Sequence, residues 1–284
     1  MRIDPHVHSS VSDGTDSPTR LVAAAHEAGL DVVGLCDHDT FDGLAEAITA
    51  GRQAGLEVLS GVELSTTFAD TSVHLLGYGC DPYDSALAAE MVKLRQSRTE
   101  RLARYLEKLA ALGMPLTEDE VREQVGRSPS LGRPHIADAM VARGYVKDRA
   151  EAFGLYLCAG GPAYVKRYST DLVEAIGLVR QAKGVSVLAH PWGRNGREVF
   201  TPEVLESLAA QGLDGIEVDH TDHDPHDREQ LGEVADRAGL IRTGSSDYHG
   251  AGKPANPLGI HTTRGSSYQE ILRRIKERGG VLPG

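Results

Sequence analysis

Cysteine is scarce in this chain of 284 residues: Cys36, Cys80 and Cys158 are the only three, and they lie far apart. An odd, scattered set argues against a disulfide framework and against a cysteine-based zinc site, and suits reduced, structural thiols. Long hydrophobic runs are also missing, so no segment is expected to cross a bilayer. The N-terminal MRIDPHVHSS lacks a charged-then-apolar secretory pattern, and a cytoplasmic setting with no membrane partner is the expectation. Positive charge is short as well: 30 Lys and Arg against 41 Asp and Glu leave a net charge of −11. Affinity for a duplex comes largely from neutralising its phosphates, so duplex DNA is not an expected partner. The acid excess has a second meaning. A site that gathers divalent cations needs carboxylates, and the bound ions then reverse the local charge. A phosphorylated substrate therefore stays open.

What is present is an alternation of short apolar runs and helical patterns. Strands are expected at residues 2–7, 31–36, 57–63 and 72–79, with helices at 18–28 and 41–55. Asp16, Ser17 and Pro18 form a helix-start signal, and Gly29 a stop. The middle of the chain differs: helical patterns at 85–112, 117–125, 134–143 and 148–156, and no strong strand from about 83 to 161. The alternation then resumes, with strands at 185–189, 215–218 and 240–244 and helices at 171–182, 202–211, 227–238 and 268–278. Strands alternating with helices of this length indicate a parallel sheet or barrel. The expected organisation is an α/β barrel of residues 1–82 and 162–284, interrupted by a helical cap subdomain at 83–161.

The informative feature is where the metal-type residues fall. His6 and His8 end the first strand, and Asp37, His38 and Asp39 follow the second. Glu63 ends the third, and His74 lies in or near the fourth. His190 follows VSVLA, Glu217, Asp219 and His220 end or follow GIEV, and Asp247 and His249 follow the last strand. Each group is expected at or near a strand C-terminus, the edge where α/β sheets and barrels build their sites. Two histidines two apart on a strand point to one face and can grip one cation. Imidazole with carboxylate and no thiolate suits catalytic zinc, manganese or iron better than structural zinc.

The motifs DPHVHSS (4–10), CDHDT (36–40), GVELS (61–65), AHP (189–191) and GSSDYH (244–249) resemble, in order and spacing, those of the PHP (polymerase and histidinol phosphatase) superfamily. The resemblance covers nearly all of the chain outside the helical block. It implies a distorted (β/α)7 barrel with a trinuclear metal site at the strand C-termini. HLLGYG (74–79), GRPHIA (132–137) and GPAYV (161–165) are most similar to the stand-alone phosphoesterases with a helical insert. That branch includes phosphatases of nucleoside 3′,5′-bisphosphates and enzymes that trim RNA from its 5′ end. Pro5 departs from the pattern, which usually has Leu there. Proline is tolerated at an edge or strand start and should face away from the histidine pair.

The resemblance implies that His6, His8, Glu63 and Asp247 hold one metal. Glu63 would bridge to a second, completed by His74 and His190, and Asp13, His38 and His249 would hold the third, with Asp16 competing with Asp13. Two or three divalent cations are expected, manganese first, with zinc, iron or magnesium as alternatives. Asp4, Asp37 and Asp39 are candidates to orient the ligating histidines, or else to cap the turns they sit in. Asp247, His190 and His220 are expected at the reacting group, His220 as a proton donor. Arg133, His135 and Lys166 are the candidate substrate contacts: the first two open a helix whose free N–H groups favour anions. His223 and His226 read as an exposed polar loop, and Trp192 as either a base-stacking or a packing residue.

The implied reaction is hydrolysis of a phosphomonoester by metal-activated water, the 3′-phosphate of a nucleoside 3′,5′-bisphosphate being the first candidate. A small nucleotide or a short RNA 5′ end would be the partner. Alternatives are a 5′-to-3′ exoribonuclease, a histidinol-phosphatase-like enzyme, an amidohydrolase (for which a lysine ending a suitable strand is lacking) and a non-catalytic PHP module within a complex.

Overall fold

The computed structural model describes residues 1–124, 132–158, 160–193 and 196–284. The elements run β1 (Ile3–Val7), α1 (Pro18–Glu27), β2 (Val32–Leu35), α2 (Leu44–Ala54), β3 (Glu57–Phe68), β4 (Thr71–Tyr78), α3 (Ser85–Ala111), α4 (Glu118–Glu123), α5 (Arg133–Ala142) and α6 (Arg149–Ala152). They continue with the short β5 (Thr170–Asp171), α7 (Leu172–Gln181), β6 (Val185–Ala189), α8 (Pro202–Ala210), β7 (Gly215–Asp219), α9 (Pro225–Ala238), β8 (Ile241–Gly244) and α10 (Gly265–Arg278). The chain divides into two compact units, Met1–Met91 with Ser169–Gly284, and Val92–Tyr168. No described helix is long and apolar enough to cross a membrane.

The first unit is the expected distorted α/β barrel. Seven strands follow one another in the order β1-β2-β3-β4-β6-β7-β8, and β5 pairs separately with β3. Short runs such as VSVLA, buried along their whole length, form strands because helices cover the sheet's outer face. The helices start where side chains can satisfy their free N–H groups. Ser17 Oγ accepts from Arg20 N, and Asp171 Oδ1 accepts from Val173 N and Glu174 N at 2.9 and 3.2 Å. Between β8 and β1 the ring is joined through the segment after β8. His8 N donates to Tyr248 O at 2.8 Å, and Asp247 N donates to His6 O at 3.0 Å. The backbone carrying two candidate ligands from opposite ends of the chain is thereby stitched together.

One strand breaks the parallel pattern. β4 is antiparallel to both β3 and β6, with His74 beside Ser65 and Ala189. The expectation that every group of candidate ligands lies at or near a strand C-terminus fails for His74. Because β4 runs backwards, its early residues lie at the edge where its neighbours finish. Glu63 likewise sits in the middle of β3, which runs on five residues to Phe68 as the arm of a hairpin.

The opposite end is closed by packing and charge. Tyr268, Ile271 and Ile275 of α10 are fully buried with Ile3, Val32, Val185 and Ile241 at the starts of parallel strands. Asp214, just before β7, accepts from Ser186 N at 3.0 Å, Arg274 Nη1 at 2.9 Å and Arg278 Nη2 at 2.6 Å. Burial pushes the Asp214 carboxyl up, but Arg278 and the Ser186 amide outweigh this and hold it below the usual range. Its stabilising contribution is complete above the unfolded pKa and is lost as pH falls through the depressed folded value. Asp214→Ala should lower the unfolding free energy by about 2 kcal/mol, since it strands two half-buried guanidiniums and an amide. Urea titrations at pH 7 and pH 3 check this, with a smaller difference between the variant and the parent expected at pH 3.

The second unit is helical, with its own core of Leu102, Tyr105, Leu109, Val121, Ile136 and Met140. A capping box joins Thr117 and Glu120 at the start of α4.

Candidate metal centre

At the site end of the barrel, seven histidines and three carboxylates from the strands and the loops that follow them converge. Glu63 is central. Its Oε2 lies 3.0 Å from His8 Nε2, 3.2 Å from His38 Nδ1 and 3.4 Å from His6 Nε2, while Oε1 lies 2.8 Å from His74 Nδ1 and 3.6 Å from His190 Nε2. Asp247 Oδ1 faces His8 Nε2 and His249 Nδ1, both at 3.4 Å. Asp13 Oδ1 faces His249 Nε2 at 3.2 Å, and its Oδ2 faces His38 Nε2 at 3.4 Å. Among the described residues, three groups place one donor atom each within reach of a shared ion: His8, Asp13, His38 and His249; His6, His8 and Asp247; and His38, Glu63 and His74.

Local structure explains several placements. Asp13 reaches the cluster because Gly14 lets its loop lie against the strand, where a Cβ would stand 2.4 Å from His8 O. Asp16 does not compete, since it accepts the Tyr248 hydroxyl at 2.7 Å. His190 and Asp247 both have left-handed backbones, φ 29° and 51°. Asp tolerates that region, but for His190 it costs on the order of 1–3 kcal/mol. His190 N donates to Glu217 Oε2 at 3.0 Å, which helps hold that conformation.

The donor set fits divalent cations. His6 Nδ1 pairs with Glu217 Oε1 at 3.0 Å, and His249 Nδ1 donates to Asp247 O at 2.9 Å. Each bond fixes the tautomer and leaves the Nε2 lone pair facing the cluster, the usual arrangement behind a ligating histidine. The His6 and His8 Nε2 atoms are 3.0 Å apart, too close for both to carry protons. Glu63 Oε1, His8 Nδ1 and His38 Nδ1 are buried and make no hydrogen bond among the described residues. Lone pairs aimed at one another, rather than at donors, are satisfied by cations between them.

Electrostatics point the same way. Burial would raise Glu63, yet His74, His38 and His6 hold it well below the usual range. Burial also opposes charge on His6, but Glu217 and Glu63 pull its pKa well above the ordinary value. Burial alone dominates at His38 and His190, which are lowered and carry neutral, ligand-ready rings. The cluster demands positive charge, and its imidazoles supply it only against their own desolvation.

Glu217 is a residue that the reading of the sequence left without a role. Besides His6 and His190 N it accepts the Ser245 hydroxyl, and His6 holds its pKa down to about 2 against burial. Its signal was an acid in the buried part of the strand GIEVD. Glu217→Gln should weaken metal binding about 10- to 100-fold by releasing the His6 ring. Competition with a chromogenic chelator measures this, and unchanged affinity would make Glu217 a bystander. Lys253 was also overlooked. Its Nζ stands 2.5 Å from Asp247 Oδ2.

Asp4, Asp37 and Asp39 accept hydrogen bonds from backbone and hydroxyl groups of neighbouring loops and strands. Asp37 accepts from Ser9 N at 2.8 Å and from the Ser9 and Ser12 hydroxyls; Asp39 accepts from Ser65 N at 2.8 Å; Asp4 accepts from Ser246 N and Gly259 N at 3.0 and 2.8 Å. They steady the loops that carry the ligand candidates. His220 is fully buried, with Nε2 3.6 Å from Asp247 Oδ2. His223 is buried rather than exposed: its Nδ1 pairs with Val218 O and its Nε2 accepts from Trp192 N, which ties two loops together. His226 is exposed. Trp192 is a packing residue, its indole N–H bonded to Phe200 O at 2.7 Å and its ring under Arg197.

Arg133, His135 and Lys166 belong to the helical unit. Arg133 lies near the Phe153 and Tyr164 rings and donates to Leu157 O at 3.4 Å. His135 Nδ1 accepts from Gly132 N at 3.0 Å, at the start of its own helix, and Lys166 is exposed. Residues 128–131, expected to lead into this helix, lie outside the described residues.

Fold and donor set together define an α/β barrel with a candidate centre for several divalent cations at one end. The chain belongs to the PHP domain family, whose model matches residues 4–118. It is 36% identical to a 3′,5′-nucleoside bisphosphate phosphatase of Chromobacterium violaceum over 92% of this chain and 91% of that protein. It is 32% identical to a 5′-3′ exoribonuclease of Haemophilus influenzae over 87% and 90% of the two chains. The solved structure of a Bifidobacterium adolescentis protein, assigned to the metal-dependent phosphoesterases, superimposes with a TM-score of 0.80 at 39% identity, covering 96% of each chain.

Proposed function

We propose that this chain is a metal-dependent phosphoesterase that releases phosphate from a small nucleotide, with the 3′-phosphate of nucleoside 3′,5′-bisphosphates as its first substrate. The observation that carries this reading is Glu63, one buried carboxylate shared between donors from four other segments. The relative from C. violaceum supports the choice of substrate.

In this reading His6, His8, Glu63 and Asp247 would hold one cation. Glu63 would also serve a second, with His74 and His190, and Asp13, His38 and His249 would hold a third. Manganese suits the mixed imidazole and carboxylate set, and no thiolate enters the three groups. Divalent cations supply acidification of the attacking water and neutralisation of the phosphoryl oxygens. The protein's own part is to fix the donors, keep His38 and His190 neutral, and hold a proton ready for the leaving oxygen. His220 is the candidate for this last role: Asp222 N donates to its Nδ1 at 3.1 Å, which leaves Nε2 as the proton-bearing atom, facing Asp247. His220→Gln should lower kcat about 100-fold with metal content unchanged. Loss of metal in that variant, measured by elemental analysis, would make His220 a ligand instead.

Arg133, His135 and Lys166 stay in the proposal as substrate contacts, to be tested by their effect on KM. A 5′-to-3′ exoribonuclease is the second reading, favoured by the H. influenzae relative. Phosphate and nucleotide release from adenosine 3′,5′-bisphosphate, short 5′-phosphorylated RNA and histidinol phosphate, assayed side by side with manganese, separates the readings. No turnover of any of the three would reject the phosphoesterase assignment.

A further inference from the structure

Asp247 is a divided carboxylate. Its Oδ1 faces His8 and His249 inside the cluster. Its Oδ2 faces the other way, to Lys253 Nζ at 2.5 Å and His220 Nε2 at 3.6 Å. The lysine ammonium is thus one carboxylate's width from the candidate metal centre.

The loop that carries Lys253 is built to present it. Gly250 has φ +63° and sits so close to Thr15 that a Cβ would stand 2.0 Å from Oγ1. Thr15 Oγ1 also accepts from Ala251 N at 2.9 Å, and Gly252 N closes a turn on His249 O at 3.2 Å. Beyond the lysine, Asn256 N donates back to Lys253 O at 3.0 Å. The Lys253 side chain is nonetheless 39% exposed. It lines an open cavity of about 260 Å³ with Asp247, Asn256 and Asp222. Asp222 is exposed, so water screens its charge.

A lysine whose only task was to steady Asp247 could be covered by protein. This one faces open space, and an ammonium has three donors, so it can keep Asp247 and still bond a second anion. We propose that Lys253 is a phosphate-binding residue of this site, contacting a non-bridging oxygen of the phosphoryl group that enters the cavity beside Asp247. The inference rests on the phosphoesterase reading for its meaning, but binding of an anion can be tested without turnover.

The test uses the full, manganese-loaded chain and its Lys253→Met and Lys253→Arg variants. Calorimetric titration with inorganic phosphate is the direct readout, alongside metal content and KM for adenosine 3′,5′-bisphosphate. Loss of one charge-assisted bond should weaken phosphate binding at least about tenfold in Lys253→Met and raise KM similarly. Metal content should stay at the parent level, and Lys253→Arg should recover part of the affinity. Phosphate affinity unchanged in Lys253→Met would overturn the proposal. So would a loss of metal in that variant, which would make Lys253 a support for Asp247 alone. A parent protein without turnover would reject the phosphoesterase reading, while the phosphate titration would still decide the role of Lys253.

Discussion

Glu63→Gln is expected to cut phosphate release at least about 1,000-fold, because it removes the carboxylate shared between two proposed ions, a loss of several kcal/mol of charge stabilisation. Glutamine keeps the size of the side chain and its place on β3. It carries no negative charge to place between His6, His8, His38, His74 and the cations they would hold. The same variant should bind at least one cation fewer per chain by elemental analysis. Its fold should survive, because β3 pairs with β2 over Glu57–Ser60 and with β4 over Gly61–Phe68. A variant with parent-like turnover and full metal content would sink the proposed arrangement of ions. A variant that unfolds would show in circular dichroism and would call for Glu63→Asp, which keeps the charge but shortens the reach.

Stripping the cations is the second large effect. Chelation should abolish turnover and lower the thermal midpoint by about 10 °C, as expected when a ligand present at roughly 1,000 times its dissociation constant is withdrawn from a domain of this size. The physical reason lies in the buried cluster. Without cations, His6 and His8 are both drawn toward the charged form while their Nε2 atoms face each other at 3.0 Å. Re-addition of manganese should restore both activity and midpoint. A midpoint that does not move under complete chelation, verified by elemental analysis, would mean that the cluster is stable by itself and would remove the main support for resident ions.

Parts of the site were legible because their signals are local. His6 and His8 share a strand face through the period of two that any β-strand imposes, and the acids and histidines after strands fall at one edge because parallel strands finish together. The barrel followed from the alternation of helix and strand. Less legible were roles set by partners distant in the chain. Asp13 and Asp16 look alike in the sequence, and only the Tyr248 hydroxyl, 232 residues from Asp16, separates them. Asp37 and Asp39 flank His38, yet Asp37 accepts from Ser9 N and Asp39 from Ser65 N, 28 and 26 residues away. His223 reads as part of a polar loop, but the path of β6 brings Trp192 N to it.

By itself, then, the sequence determined the kind of donors present, their strand-end spacing and the α/β alternation, since each depends on backbone periodicity and side-chain chemistry within a few residues. The tertiary structure decided which donors meet. It reversed β4 so that His74 joins the site, set Glu217 behind His6 from 211 residues away, and turned Lys253 toward Asp247. Those choices depend on how strands pair and loops close, and long-range pairing leaves little trace in any one segment.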